Sequence, residues 1–61
     1  MTMTAVERAV MIDDADVTPQ IRLVAHSLHN GIEFLRDSGG CDECIAKLEK
    51  AVVAALLIET P

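Results

Sequence analysis

The sequence predicts an all-α protein: an antiparallel helical hairpin with a short N-terminal helix, assembling into a homo-oligomer. Three observations carry this reading. Apolar residues recur at helical spacing through two long segments, and no stretch alternates as a strand does. Two clusters of breakers, Asp13-Asp14-Ala15-Asp16-Val17-Thr18-Pro19 and Asp37-Ser38-Gly39-Gly40, divide the chain into three pieces. Residues 51–58 are apolar on every side, which a single hairpin has no means of covering. The expected division of the single domain is a short helix and acidic linker over 1–17, a helix over 18–37, a turn at 38–40 and a helix over 41–59.

In the first segment Val6, Ala9, Val10 and Met11 or Ile12 fit a helical stripe. Thr4 followed three residues later by Glu7 is a capping box. The acidic run after Ile12 opposes the dipole of a helix C-terminus, so it is expected in a loop. The second segment opens with Thr18 as N-cap and Pro19 at the first helical position. Ile21, Val24, Leu28, Ile32 and Leu35 recur at spacings of 3, 4, 4 and 3, and Ala25 widens the stripe. Arg22, His26, His29, Glu33 and Arg36 fall on the opposite side. Gly31 costs about 1 kcal/mol relative to Ala; it either admits a close helix approach or is simply tolerated. The helix should stop near Asp37, with Gly39 or Gly40 in the left-handed cap conformation.

For the third segment Ser38 or Gly40 is the expected cap. Asp42 and Glu43 suit its first turn, and Glu43 and Lys47 form a favourable i,i+4 pair. Its stripe runs through Cys44 or Cys41, Ile45, Leu48, Val52, Ala55 and Leu56 or Ile58. Beyond Lys50 the amphipathicity disappears. Either the C-terminal halves of several chains pack together, helped by the small Ala51, Ala54 and Ala55, or the N-terminal helix folds over the extra face and leaves a three-helix monomer. Exposed apolar patches of this kind are avoided by soluble monomers, so the oligomer is the expectation.

Composition narrows the function. The 61 residues hold one small domain, too small to be stable without a staple such as a disulfide, a metal or a partner chain. Ten acidic residues against five basic ones give a net charge of −5, which argues against general DNA or RNA binding. With Phe34 as the one aromatic residue there is no stacking platform for single strands either. The longest apolar run is eight residues, far short of the roughly 20 that cross a bilayer. The N-terminus lacks the basic start and apolar stretch of a secretory signal. A cytoplasmic protein with reduced thiols follows as the expectation, and the small size argues against an enzyme.

Four potential metal ligands, His26, His29, Cys41 and Cys44, make a zinc-capable set on paper. Within one hairpin they lie one to two turns apart along the axis. They read as solvent-facing imidazoles, a thiol near the turn and a core thiol at Cys44. A redox pair or a disulfide across the three-residue step is the other use of Cys41-Asp42-Glu43-Cys44. The run from Asp13 is not a calcium loop, since Thr18 and Val24 occupy the positions where Gly and Glu are needed. The cations Arg8, Arg22, Arg36, Lys47 and Lys50 make no cluster within one chain, but symmetry in an oligomer can gather several copies of one residue into a basic pocket.

Residues 44–55, Cys44-Ile45-Ala46-Lys47-Leu48-Glu49-Lys50-Ala51-Val52-Val53-Ala54-Ala55, resemble the helical-hairpin domain of phage anti-CBASS nucleotide sponges. That family ends in a helix reading small-x-Thr-Lys-Leu-Glu-Glu-Ala, then bulky residues, often Trp, then Ala. Lys47-Leu48-Glu49 and Ala51 match as they stand. Ala46 replaces Thr, Lys50 replaces Glu and Ala54 stands where Trp is common. The resemblance covers about residues 20–58. It implies a compact oligomer, hexameric in known members, that captures cyclic di- or trinucleotide immune messengers in the bacterial cytoplasm without chemistry. The cations expected to meet phosphates are Arg22, Arg36, Lys47 and Lys50, with Arg8 if the N-terminus closes the pocket. No cofactor, nucleic acid or membrane partner is expected. The competing expectations are an acidic helical protein–protein interaction module docking through its Ile/Leu face, and a zinc-stapled domain.

Overall fold

The computed structural model describes residues 3–58. The first two residues of the expected N-terminal segment and the expected helix end at residue 59 lie outside that range. Three helices make up the described chain: α1 (Ala5–Asp14), α2 (Pro19–Asp37) and α3 (Asp42–Leu57). Among the described residues there is no strand. Nor, among the described residues, is any helix long and apolar enough to cross a membrane. α2 is the central element: it packs extensively on α3 and less extensively on α1.

Local chemistry sets most of the boundaries. Thr4 caps α1 through a complete capping box, its hydroxyl accepting the Glu7 N–H at 3.1 Å while the Glu7 carboxylate accepts the Thr4 N–H at 3.0 Å. That bond to the Thr4 backbone holds the Glu7 carboxyl below its ordinary value. Thr18 caps α2 by accepting from Ile21, with Pro19 opening the helix. α2 ends through Gly39 at φ 73°, the left-handed conformation that a β-carbon disfavours. Gly40 follows in tight contact: a Cβ there would sit 2.9 Å from Leu35 Cδ2 and 3.0 Å from the Leu35 carbonyl.

α1 departs from expectation at both its end and its face. It continues through Asp13 and Asp14 instead of yielding to a loop. The missing positive charge is supplied from α2: the Arg22 guanidinium donates to the carbonyls of Ile12 at 2.6 Å, Asp13 at 2.7 Å and Ala15 at 3.1 Å. A cation at this end offsets the dipole that the two carboxylates oppose. The inward face is Arg8, Met11, Ile12 and Ala15, not the valine stripe; Val6 and Val10 are exposed. The cap of α3 is Cys41, rather than Ser38 or Gly40.

The core is formed by Ile12, Ala25, Ile32, Ile45, Val52 and Leu56, with Met11, Ala15, Val17, Leu28, Leu35 and Leu48 packed around it. Val24, expected inside, is half exposed. Full burial of Ile12 contributes about 1.5–3 kcal/mol, the largest single apolar contribution from α1. The apolar end of α3 is only partly enclosed: Val52, Ala55 and Leu56 are buried, whereas Val53, Leu57 and Ile58 remain exposed.

A Cβ built on Gly31 meets nothing within 4 Å, so this glycine admits no close helix approach within the chain. Gly31→Ala is therefore expected to stabilise the protein by about 0.5–1 kcal/mol in urea unfolding. Destabilisation would show that another backbone approaches this position.

Candidate functional site

α1 docks against the polar side of α2. The residues Arg22, His26, His29, Glu33 and Arg36 recur at steps of 4, 3, 4 and 3, the spacing of a continuous helix seam. Four of the five meet α1 directly. Arg22 holds its C-terminus, His26 Nε2 lies 2.9 Å from Asp13 Oδ1, and His29 and Glu33 meet Arg8. This polar stripe was expected to face solvent; it is the docking surface for α1.

Arg8 is the centre of the arrangement. Its side chain is 1% exposed, though its Cα lies on a short N-terminal helix. Nη1 donates to Glu33 Oε2 at 2.8 Å and to His29 Nδ1 at 3.1 Å, and Nη2 donates to Glu49 Oε2 at 3.1 Å. One guanidinium thus bridges α1 to both α2 and α3. Arg36 adds a second cation, 3.6 Å from Glu33 and 4.0 Å from Glu49. The Arg8 Nε is buried without a hydrogen-bond partner. A buried charge is tolerated only when paired and hydrogen-bonded, so the two carboxylates are conditions for Arg8 to be inside at all.

The titration behaviour follows from this packing. Arg8 holds the Glu33 carboxyl below its ordinary value by hydrogen bonding, against an opposing contribution from burial, and Arg36 adds to the lowering. His29 is also lowered, first by burial and then by the Arg8 charge, with Glu33 acting in the opposite direction. An Arg donor requires an unprotonated Nδ1, so His29 serves the network as a neutral acceptor.

Beside this cluster a groove separates α1 from α3. One hollow of about 410 Å³ is lined by Met3, Arg8, Met11, Ala46, Glu49, Lys50, Val52 and Val53. A second, of about 400 Å³, shares Met11 and Val53 and continues past Ala15, Leu56 and Leu57, with Asp14 and Asp16 at its edge. The groove is mainly apolar.

The five cations expected at a ligand site are distributed differently. Arg8 and Arg36, read from sequence as scattered, meet around Glu33 and Glu49; Arg22 is occupied with carbonyls of α1 and the loop after it. Lys47 is exposed and 3.7 Å from Glu43, and Lys50 lines the groove. Cys41 and Cys44 form a disulfide, and both are exposed, correcting the expectation of free thiols with Cys44 in the core. The core-facing position of that first turn is taken by Ile45, which turns Cys44 outward. His26 and His29 are half-buried edge-to-face neighbours, 6.4 Å apart, rather than solvent-facing. Among the described residues no group of three or more His, Cys, Asp or Glu is placed to hold a metal ion.

Sequence reasoning missed the acidic half of the cluster, Glu33 and Glu49, and the burial of Arg8. The available signal was the 4-3-4-3 polar stripe, combined with Arg8 lying one helical turn before Ile12. Comparison with protein-family models, curated proteins and solved structures found no match.

Both lowered groups make the fold acid-sensitive. The stabilisation from His29 is complete above its ordinary 6.5 and is lost as pH falls through its folded value. That from Glu33 is complete above 4.5 and is lost further down. Melting temperature should therefore fall as pH drops below about 6.5, and His29→Gln, whose amide oxygen still accepts from Arg8, should flatten the first part of that fall. An unchanged slope in the variant would remove His29 from the network.

Proposed function

We propose that this protein is a non-enzymatic association module whose working unit is several copies of the chain, each contributing an antiparallel hairpin of α2 and α3. The observation that carries this reading is the exposed run Val53, Leu57 and Ile58 at the end of α3, continuous with the apolar groove beside Met11. Soluble chains of this size rarely leave such surface uncovered. Small residues along the same helix, Ala46 and Ala54, are exposed and suit close helix approach. The three arginines are engaged within the chain in ion pairs and in hydrogen bonds to backbone carbonyls.

A second reading, capture of a cyclic di- or trinucleotide by the assembled copies, follows from the sponge resemblance. The observation favouring it is that Lys47 and Lys50 are exposed on the helix that also carries the uncovered apolar run. Assembly through α3 brings symmetry copies of these lysines near one another. Arg8 and Arg22, already engaged, contribute to the frame rather than to phosphate contact.

Native mass spectrometry of the whole chain at micromolar concentration tests the reading. The expected result is a defined multimer that Val53→Glu with Leu57→Glu converts to single chains while the helical circular-dichroism signal persists. A wild-type protein that runs as single chains contradicts it. Mass added by a cyclic di- or trinucleotide to the multimer, and lost in Lys47→Glu with Lys50→Glu, distinguishes capture from association alone.

A further inference from the structure

The first turn of α3 carries a chemical group that the association reading leaves unused. Cys41 is the N-cap, with the extended backbone (φ −72°, ψ 137°) usual for that position, and its Sγ accepts the Cys44 N–H at 3.0 Å. A cysteine sulfur here stands where Ser, Thr, Asp or Asn is normally found. The disulfide to Cys44 is within that same turn, and both residues are exposed to solvent. A cross-link closing so few residues removes little chain entropy from the unfolded state, so its contribution to stability is small. Its exposure, in contrast, gives external thiols direct access to the sulfurs.

We propose that Cys41 and Cys44 form a thiol–disulfide exchange site for low-molecular-weight thiols. The asymmetry of the turn sets the direction of attack. A thiolate RS⁻ attacks Cys44 Sγ, an R–S–Cys44 bond forms, and the Cys41–Cys44 bond breaks with its electron pair leaving on Cys41 Sγ. That leaving thiolate sits at the helix start, where it accepts the Cys44 N–H more strongly than a disulfide sulfur does and gains from the positive end of the dipole. A second RS⁻ attacks the R sulfur of the mixed disulfide, giving RSSR and releasing Cys44 as the second thiolate. Two thiols thereby lose two electrons and two protons. The protein disulfide gains the electrons, and the protons go to the cysteine sulfurs or, where Cys41 stays ionised, to solvent. Asp42 and Glu43 lie between the sulfurs in sequence and oppose the thiolate, so the preference for Cys41 as leaving group is modest. The N-cap survives in either state, so exchange proceeds without unfolding α3.

The test uses the folded full-length chain in glutathione buffers of rising reduced-to-oxidised ratio at neutral pH, quenched with maleimide and read by intact mass. The expected result is reversible conversion of unlabelled to doubly labelled protein with the helical signal retained. Chain that stays unlabelled for hours in about 10 mM reduced glutathione overturns the proposal and makes the disulfide a structural cross-link. Single-cysteine variants test the direction. With the residue-44 N–H and the helix start favouring its thiolate, Cys41 in Cys44→Ser should react with a small disulfide severalfold faster at neutral pH than Cys44 in Cys41→Ser. Equal or reversed rates overturn the assignment of Cys41 as the leaving sulfur.

Discussion

The arrangement of the three helices depends on one guanidinium. Arg8 is almost fully buried, and it reaches Glu33 on α2 and Glu49 on α3 with the two arms of its fork. α1 otherwise brings one fully buried aliphatic side chain, Ile12, to the core. Ile12, with Met11 packed beside it, and the Arg22 and His26 contacts at the C-terminal end hold α1 against α2, but the first two turns of α1 have no other inward group than Arg8 to keep Val6 and Val10 outside. Burying Arg8 without both carboxylates leaves an unpaired charge, a cost of several kcal/mol. The ion cluster therefore selects the one rotation in which the valines face out and Arg8 faces in, and specificity rather than net stability is its contribution.

The same constraint explains the charge distribution. Of the five cations, Arg8 is turned inward, Arg22 lies along the α1–α2 seam, Arg36 pairs at the exposed edge of the cluster between α2 and α3, and the lysines remain on the surface. Arg suits the inner positions because its planar fork meets two acceptors at once, whereas an ammonium is a strongly hydrated point charge. With Asp13, Asp14, Asp16, Asp37, Asp42 and Glu43 all exposed, the outer surface is acidic, and exposed apolar side chains lie both along the α1–α3 groove and α3 end and on α1 and α2 at Val6, Val10, Leu23, Val24 and Phe34.

What was legible in the sequence was what is decided locally. Thr4 with Glu7, Thr18 with Pro19, and Gly39 after Asp37 each act on backbone groups within a few residues, and the helices begin and end accordingly. What was not legible is decided at long range. Arg8 meets residues 25 and 41 positions away, and no periodicity within α1 distinguishes an inward arginine from an outward one. The valines Val6 and Val10 gave α1 a convincing but wrong apolar face. The continuation of α1 through Asp13 and Asp14 depends on Arg22, which only the folded chain brings to those carbonyls. The cysteine pair was ambiguous because a core thiol and an exposed cystine have the same spacing; the choice fell to Ile45, which took the inward position.

A double-mutant cycle between Arg8 and Glu49 tests the central claim most directly. Arg8→Met, Glu49→Gln and the double variant are compared with the parent chain by urea unfolding. If the guanidinium and the carboxylate set the docking of α1 together, each single change is destabilising and the coupling energy is about 1 kcal/mol or more, because the second change relieves the charge stranded by the first. Effects that add to within about 0.3 kcal/mol would contradict this and leave α1 held by its apolar contacts and by Arg22 and His26 at its C-terminal end.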